Sequence, residues 1–182
     1  DNEEILNDNN NPMIPKKLSV EKPKIISRAE WGARNPKYDY SNHPYFNKMT
    51  LHHAAGWGAR TLDEGKAAVK SIQDFHQDGR GWSDIGYHFL VDMAGNIYQG
   101  RPETVLGAHV GGANTGNIGV CLLGCYHPPE TSIPCYDEMT YNSEQSLIKL
   151  YAWISDAYGV EPKLLKGHRD YFGTTSCPGN NV

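Results

Sequence analysis

No apolar run in this 182-residue chain approaches the roughly 18 residues needed to cross a bilayer; the longest, around Ile118 to Leu123, has strand length. A membrane span is therefore excluded from the reading. A basic excess is also missing, since 17 Lys and Arg face 21 Asp and Glu for a net charge of −4. Without a basic field, neither nucleic acid nor an acidic lipid surface is an expected partner. Internal repeats are absent, cysteine is held to four residues, and the chain begins at Asp1 rather than Met, so no targeting peptide can be read from it. What is present is an ordinary soluble composition, 38% hydrophobic and 21% charged. One domain of this length can bury roughly two-thirds of the surface its unfolded chain exposes.

The apolar residues of the first 24 positions (Ile5, Leu6, Met13, Ile14, Leu18) follow neither helical nor strand spacing, and Asn, Asp, Glu, Pro and Lys surround them. Residues 1–24 are expected to be a disordered tail or linker, with the domain proper at 25–182. Ser27 and Glu30 have capping-box spacing before Trp31, an expected anchor, and Pro36 to Pro44 predict an irregular excursion. Alternation in Met49 to His52 puts Met49 and Leu51 on one face and Thr50 and His52 on the other. Thr61 and Glu64, with Val69, Ile72, Phe75 and His76, predict a helix over about 62–78, stopped by Gly79. A hairpin follows, with strands up to Asp92 and at Ile97–Gln99 around the turn 93–96. The nearly all-apolar strand from Asn117 to about Gly124 suits a position covered on both faces. Leu147, Leu150, Tyr151, Ile154 and Tyr158 predict a helix ending at Gly159, and 163–166 a short strand. The order β-α-β-β-β-α-β implies an α/β fold, a single domain with a mixed central β-sheet flanked by helices.

The stretch Lys166 to Gly179, K-G-H-R-D-Y-F-G-T-T-S-C-P-G, carries the densest chemistry. Its glycines and Pro178 let the loop aim His168 and Cys177 at one point, but two donors are too few for zinc, which takes about three protein ligands in catalytic sites. The best third donor lies far upstream, in L-H-H-A-A-G at 51–56. Most of the other histidines have plainer readings. His53 points away from His52 by the period-two rule and His88 away from Tyr87; His76 falls on the helix, and His43 and His127 sit in loops without a motif. Cys121, inside an apolar strand, reads as a small buried hydrophobe. Cys125 and Cys135 bracket a proline-containing loop and could close a disulfide, which would point to an exported protein; two free thiols in a reducing compartment is the other reading.

Seven segments, in order, resemble the peptidoglycan recognition protein and zinc-dependent N-acetylmuramoyl-L-alanine amidase family. They are I-S-R-A-E-W-G-A-R at 26–34, L-H-H-A-A-G at 51–56, F-H-Q-D-G-R-G-W-S-D-I-G-Y-H-F-L-V at 75–91, G-N-I-Y-Q-G-R at 95–101, G-A-H at 107–109, N-I-G-V at 117–120, and G-H-R-D with S-C-P-G at 167–179. The resemblance implies Zn2+ held by His52, His168 and Cys177, and a metal-activated water attacking the amide between N-acetylmuramic acid and the L-alanine of the stem peptide. It assigns Tyr87 to orient that water and the developing oxyanion, Thr175 as a second polar group two residues before the cysteine, and His109 and Trp82 to the substrate cleft. The implied partner is peptidoglycan or a muropeptide, met by a monomer that is secreted, periplasmic or cell-wall-associated. Two departures stand out. One residue is added between Asp170 and Cys177, which makes Thr174 a rival to Thr175, and Pro102-Glu103 follows Gly100-Arg101 where many relatives carry Gly-Trp, leaving preference for the third stem residue open. A non-catalytic peptidoglycan-binding module is the alternative function; such relatives typically lack the zinc cysteine. A cysteine hydrolase using Cys177 and His168 is a third reading, disfavoured because a nucleophilic thiol needs a base oriented by a third group.

Overall fold

The computed structural model describes residues 19–126 and 135–182. Five strands form one sheet in the order β3-β2-β4-β1-β5, where β1 is Lys48–His53, β2 Phe89–Val91, β3 Ile97–Gln99, β4 Asn117–Leu122 and β5 Leu165–Gly167. β1 lies parallel to both β4 and β5, β2 is parallel to β4, and only the β2–β3 hairpin is antiparallel. The sheet is mixed, as expected, and a helix covers each face. Helix α1 (Leu62–Asp74) packs Val69 and Ile72 with Leu90, Tyr98 and Cys121 on one side. Helix α2 (Tyr141–Tyr158) packs Leu147, Leu150 and Ile154 with Met49, Phe89, Ile118 and Val120 on the other. Every residue of β4 is buried, which accounts for its continuous apolar run. Each aliphatic side chain buried there stabilises the sheet by about 1.5–3 kcal/mol relative to exposure.

Local signals set most element ends. In the 26–31 turn, Ser27 N–H donates to Glu30 Oε2 at 2.7 Å and Glu30 N–H donates to Ser27 Oγ at 3.2 Å, completing the capping box. Trp31 is anchored by its indole N–H to the Gln99 carbonyl at 2.8 Å. Thr61 caps α1 by accepting from Glu64 N–H, while Glu64 accepts from Arg60 N–H, one residue earlier than a reciprocal box requires. Thr140 caps α2, and Gly159 ends it in the left-handed conformation at φ 66°. The turn after β2 is tied by Asp92 Oδ1, which accepts from Ala94 and Asn96 N–H at 2.9 Å each.

Three boundaries differ from the sequence reading. α1 stops at Asp74 and continues as a π-helical turn over Phe75–Gly79. The extra residue in that turn rotates Phe75 outward, where it is 44% exposed, and brings His76 inward. β4 ends at Leu122, with Gly124 forming an isolated bridge to Gly56, and Pro162–Leu164 form a 3-10 turn that delays β5 to Leu165–Gly167. Of the segment read as a tail, residues 1–18 lie outside the described residues. Farther along that segment, Val20 N–H donates to Asp156 on α2 and the Lys22 ammonium lies 4.7 Å over the Trp153 ring. His127 also lies outside them. No helix among the described residues is long and apolar enough to cross a membrane.

Cys125 and Cys135 form a disulfide with Cα atoms 5.2 Å apart, whereas Cys121 and Cys177 are free and buried. The loop it closes is short, so a contribution of about 2–3 kcal/mol is expected from restricting the unfolded chain. Denatured but unreduced protein should expose two reactive thiols and reduced protein four; four without reductant would rule out the bond.

Candidate metal centre

The site forms at one end of the sheet because parallel pairing brings distant segments there. β1 and β5 pair with Leu51 opposite Gly167, so the next residues along each chain, His52 and His168, are neighbours, with ring centroids 4.8 Å apart. The 3-10 turn His168–Asp170 then redirects the chain, with Gly167 N–H donating to Asp170 Oδ2 at 2.8 Å. The loop returns through Cys177, whose carbonyl accepts from Arg169 N–H at 2.8 Å and holds the two arms together. A side chain at Gly167 would meet Pro178 at 2.8 Å, so this close return depends on glycine.

His52, His168 and Cys177 each offer one ligand atom, and the three atoms lie within 4.8 Å of one another. His52 Nδ1 and Cys177 Sγ are 3.7 Å apart. Tetrahedral zinc bound to nitrogen at about 2.05 Å and sulfur at about 2.3 Å would put that pair about 3.6 Å apart. Burial lowers the pKa of both His52 and His168, so the imidazoles are neutral and their lone pairs available. Burial pushes the Cys177 thiol up to about 11, against the opposing effect of the His53 backbone N–H, which donates to its sulfur at 3.4 Å. Two neutral imidazoles and a thiol that must lose its proton to coordinate are a donor set suited to zinc.

A cavity of about 260 Å³ opens over these atoms, lined also by Tyr87, Trp82, Arg80, Ala108, His109 and Thr175. Burial, with the sulfurs of Cys121 and Cys177 nearby, holds the half-buried Tyr87 hydroxyl well above the ordinary tyrosine range, so it keeps its proton. Thr175 faces the cavity, its hydroxyl accepting from Cys177 N–H at 3.2 Å, while Thr174 is exposed and lines no part of it. Trp82 stacks near His76, with ring centroids 4.6 Å apart. His109 reaches the cavity, but both its ring nitrogens are engaged: Nδ1 with His52 Nε2 at 2.9 Å and Nε2 with the Asn117 carbonyl at 3.0 Å. Three further histidines among the described residues accept main-chain hydrogen bonds, and two of them, His53 and His76, also line the cavity. His53 Nδ1 accepts from Tyr126 N–H, His76 Nδ1 from Gly86 N–H and His88 Nδ1 from Gly119 N–H. A larger, mostly apolar cavity of about 620 Å³ between α2 and β5 contains none of the three donors, so its size does not locate the chemistry.

Sequence reasoning passed over Arg80. Its guanidinium stacks 5.0 Å from the Trp82 ring centroid and 5.3 Å from that of Phe75, and among the described residues it has no hydrogen-bond or ion-pair partner. It lies inside the F-H-Q-D-G-R-G-W segment, but nothing local distinguishes it from a solvated surface arginine. Asn117 and Gly119 were equally hidden within a strand pattern.

Fold and site together define a mixed-sheet α/β domain with a His-His-Cys donor triad at the floor of a cleft. The profile of the N-acetylmuramoyl-L-alanine amidase family matches residues 42–180. Peptidoglycan-recognition protein SC2 of Drosophila simulans is 36% identical over 162 residues, covering 87% of this chain and 82% of that protein. The N-acetylmuramoyl-L-alanine amidase of Mus musculus is 35% identical over 165 residues, covering 87% of this chain but 29% of the mouse protein. The solved structure of Drosophila PGRP-LB superposes with a TM-score of 0.75 at 30% identity, covering 87% and 89% of the two chains; a variant of it in complex with tracheal cytotoxin gives 0.73. The chain belongs to the peptidoglycan recognition protein and type 2 amidase family.

Because coordination must displace the Cys177 proton, zinc affinity should rise about tenfold per pH unit between about pH 6.5 and 9. Chelator competition across that range measures it; a flat profile would argue that the thiol is not a ligand.

Proposed function

We propose that this chain is a zinc-dependent N-acetylmuramoyl-L-alanine amidase, cleaving the amide between the lactyl group of N-acetylmuramic acid and the L-alanine of the stem peptide. The observation that carries this reading is the convergence of His52, His168 and Cys177 ligand atoms within 4.8 Å, on a cleft shared with a protonated Tyr87. Bound zinc supplies Lewis acidity, which polarises an amide carbonyl and acidifies water. The chain's own groups complete the work. Tyr87 donates its hydroxyl proton to the oxygen on which charge develops. Thr175 already accepts from Cys177 N–H, so its own hydroxyl proton is free to donate into the cleft. Trp82 and Arg80 form the wall along which substrate lies, the indole by apolar contact and the guanidinium through a substrate carboxylate or carbonyl. His109 has both ring nitrogens committed, so any substrate contact it makes is through carbon.

The catalytic domain is assigned to 25–182 and the preceding residues to a tail. The Cys125–Cys135 disulfide supports a secreted, periplasmic or cell-wall-associated protein. A binding module without hydrolysis is the second reading, favoured by the many relatives named for recognition rather than cleavage. The free Cys177 thiol beside His52 weighs against it.

Tyr87→Phe should keep zinc and lower turnover by roughly 10²–10³, the cost of losing one oxyanion donor; an unchanged rate would return Tyr87 to a packing role. Cys177→Ser should remain folded, lose zinc and hydrolysis, and still co-sediment with insoluble peptidoglycan. Mass analysis of products from a defined muropeptide decides between the readings, since wild-type protein that binds but never releases L-alanine-terminated peptide would be a recognition module.

A further inference from the structure

We infer that His109 is a positioning residue, whose ring fixes which nitrogen of His52 is presented to a metal. The inference rests on the zinc-site reading above but not on the identity of the bond cleaved. It begins at the Asn117 main-chain carbonyl, 3.0 Å from His109 Nε2. A carbonyl oxygen can only accept, so His109 Nε2 carries the ring proton. The ring is buried and packs edge-on against the His52 and His88 rings, and in that neutral tautomer its Nδ1 is a bare lone pair. That lone pair faces His52 Nε2 at 2.9 Å, which must therefore be the donor. The remaining nitrogen, His52 Nδ1, is then unprotonated, and it is the one 3.7 Å from Cys177 Sγ. One backbone oxygen thus dictates the proton positions of two rings in series and leaves the lone pair on the side where the other donors converge. A neutral imidazole that donates its second N–H to a fixed acceptor is held in orientation and made a stronger ligand.

The surroundings of His109 are shaped to keep its ring in that place. A Cβ at Gly119 would fall 2.5 Å from His109 Nδ1, and a Cβ at Gly107 would fall 2.7 Å from its Cδ2, so the ring occupies a slot that exists because both residues lack side chains. Gly119 sits on β4 opposite Thr50 of β1, two residues before the His52–Cys121 pair, which sets the slot directly alongside His52. Asn114 Oδ1 accepts from both His109 N–H (2.9 Å) and Val110 N–H (2.7 Å), fixing the backbone that carries the ring. Asn117 is itself clamped, with its Oδ1 accepting from Thr50 Oγ1 and its Nδ2 donating to the Ala113 carbonyl.

The test needs no hydrolysis. Nitrogen-15 NMR of the metal-free parent should show His52 protonated on Nε2 alone and His109 on Nε2 alone; protonation of His52 on Nδ1 would overturn the inference. Zinc affinity, read by chelator competition, should fall about 10- to 100-fold in His109→Leu, which keeps the volume and removes the acceptor. His109→Asn places an oxygen near the Nδ1 position and should restore affinity to within about threefold of the parent. Gly119→Ala leaves both histidines chemically intact but crowds the slot, and should weaken zinc binding in the same direction as His109→Leu. Parent-like zinc affinity in His109→Leu, or equal losses in the Asn and Leu variants, would reduce His109 to packing. If zinc affinity follows this pattern while no muropeptide is cleaved, the amidase reading fails and the positioning role stands.

Discussion

The parallel pairing of β1 with a strand on each side is the constraint on which the rest of the molecule depends. On one side its register with β4 sets His52 opposite Cys121, and on the other its register with β5 delivers His168 beside His52. Cys177, 125 residues from His52 in sequence, is brought back by a loop hydrogen-bonded across its own base. Parallel strands need crossover connections, and the two helices that make them also cover the two faces of the sheet. Slipping β1 by one residue would exchange its faces, burying Leu51 where His52 now stands and turning the donor away from the cleft.

Desolvation is the second organising effect, and it acts on charge rather than shape. His52, His76, His88 and His109 are all buried, and in each burial is the main cause of a lowered pKa. Neutral imidazoles can pack against one another, as His52 does with His109 and His168 and His88 with His109, without the repulsion that protonated rings would suffer. The same environment raises Cys177 and Tyr87. His52, His168, Cys177 and Tyr87 are thus all held toward their uncharged forms, beside the charged guanidinium of Arg80.

Family membership and chemistry carry different weight here. Membership is settled by the match over 42–180 and by relatives about a third identical across most of the chain, and it covers proteins named for recognition as well as for cleavage. The His52, His168 and Cys177 donor set bears on the proposed metal-assisted hydrolysis, whereas binding along a cleft wall needs no metal. The Arg80 guanidinium, over the Phe75 and Trp82 rings at the cavity wall, is compatible with either one.

Elements whose signals are local were legible in the sequence. The Ser27–Glu30 box, the Thr61 cap, the Gly159 stop, the alternation in β1 and the unbroken apolar run of β4 all express residue type and short-range spacing, which the chain states by itself. So did the candidate donors, through the motifs around His52, His168 and Cys177. The π-helical turn at Phe75–Gly79 was not legible, because apolar spacing continues through it and only packing shows that His76 rather than Phe75 is buried. Nor was the disulfide, for which two cysteines bracketing a loop are compatible with either redox state. The place of His109 was the least legible of all. Its motif marked it for the cleft, but its engagement with His52 and Asn117 depends on two glycines from different segments leaving room for one ring. Residue type and spacing determined which groups could bind metal; long-range strand register decided which of them converge, because parallel pairing sets distances through space that sequence separation does not encode.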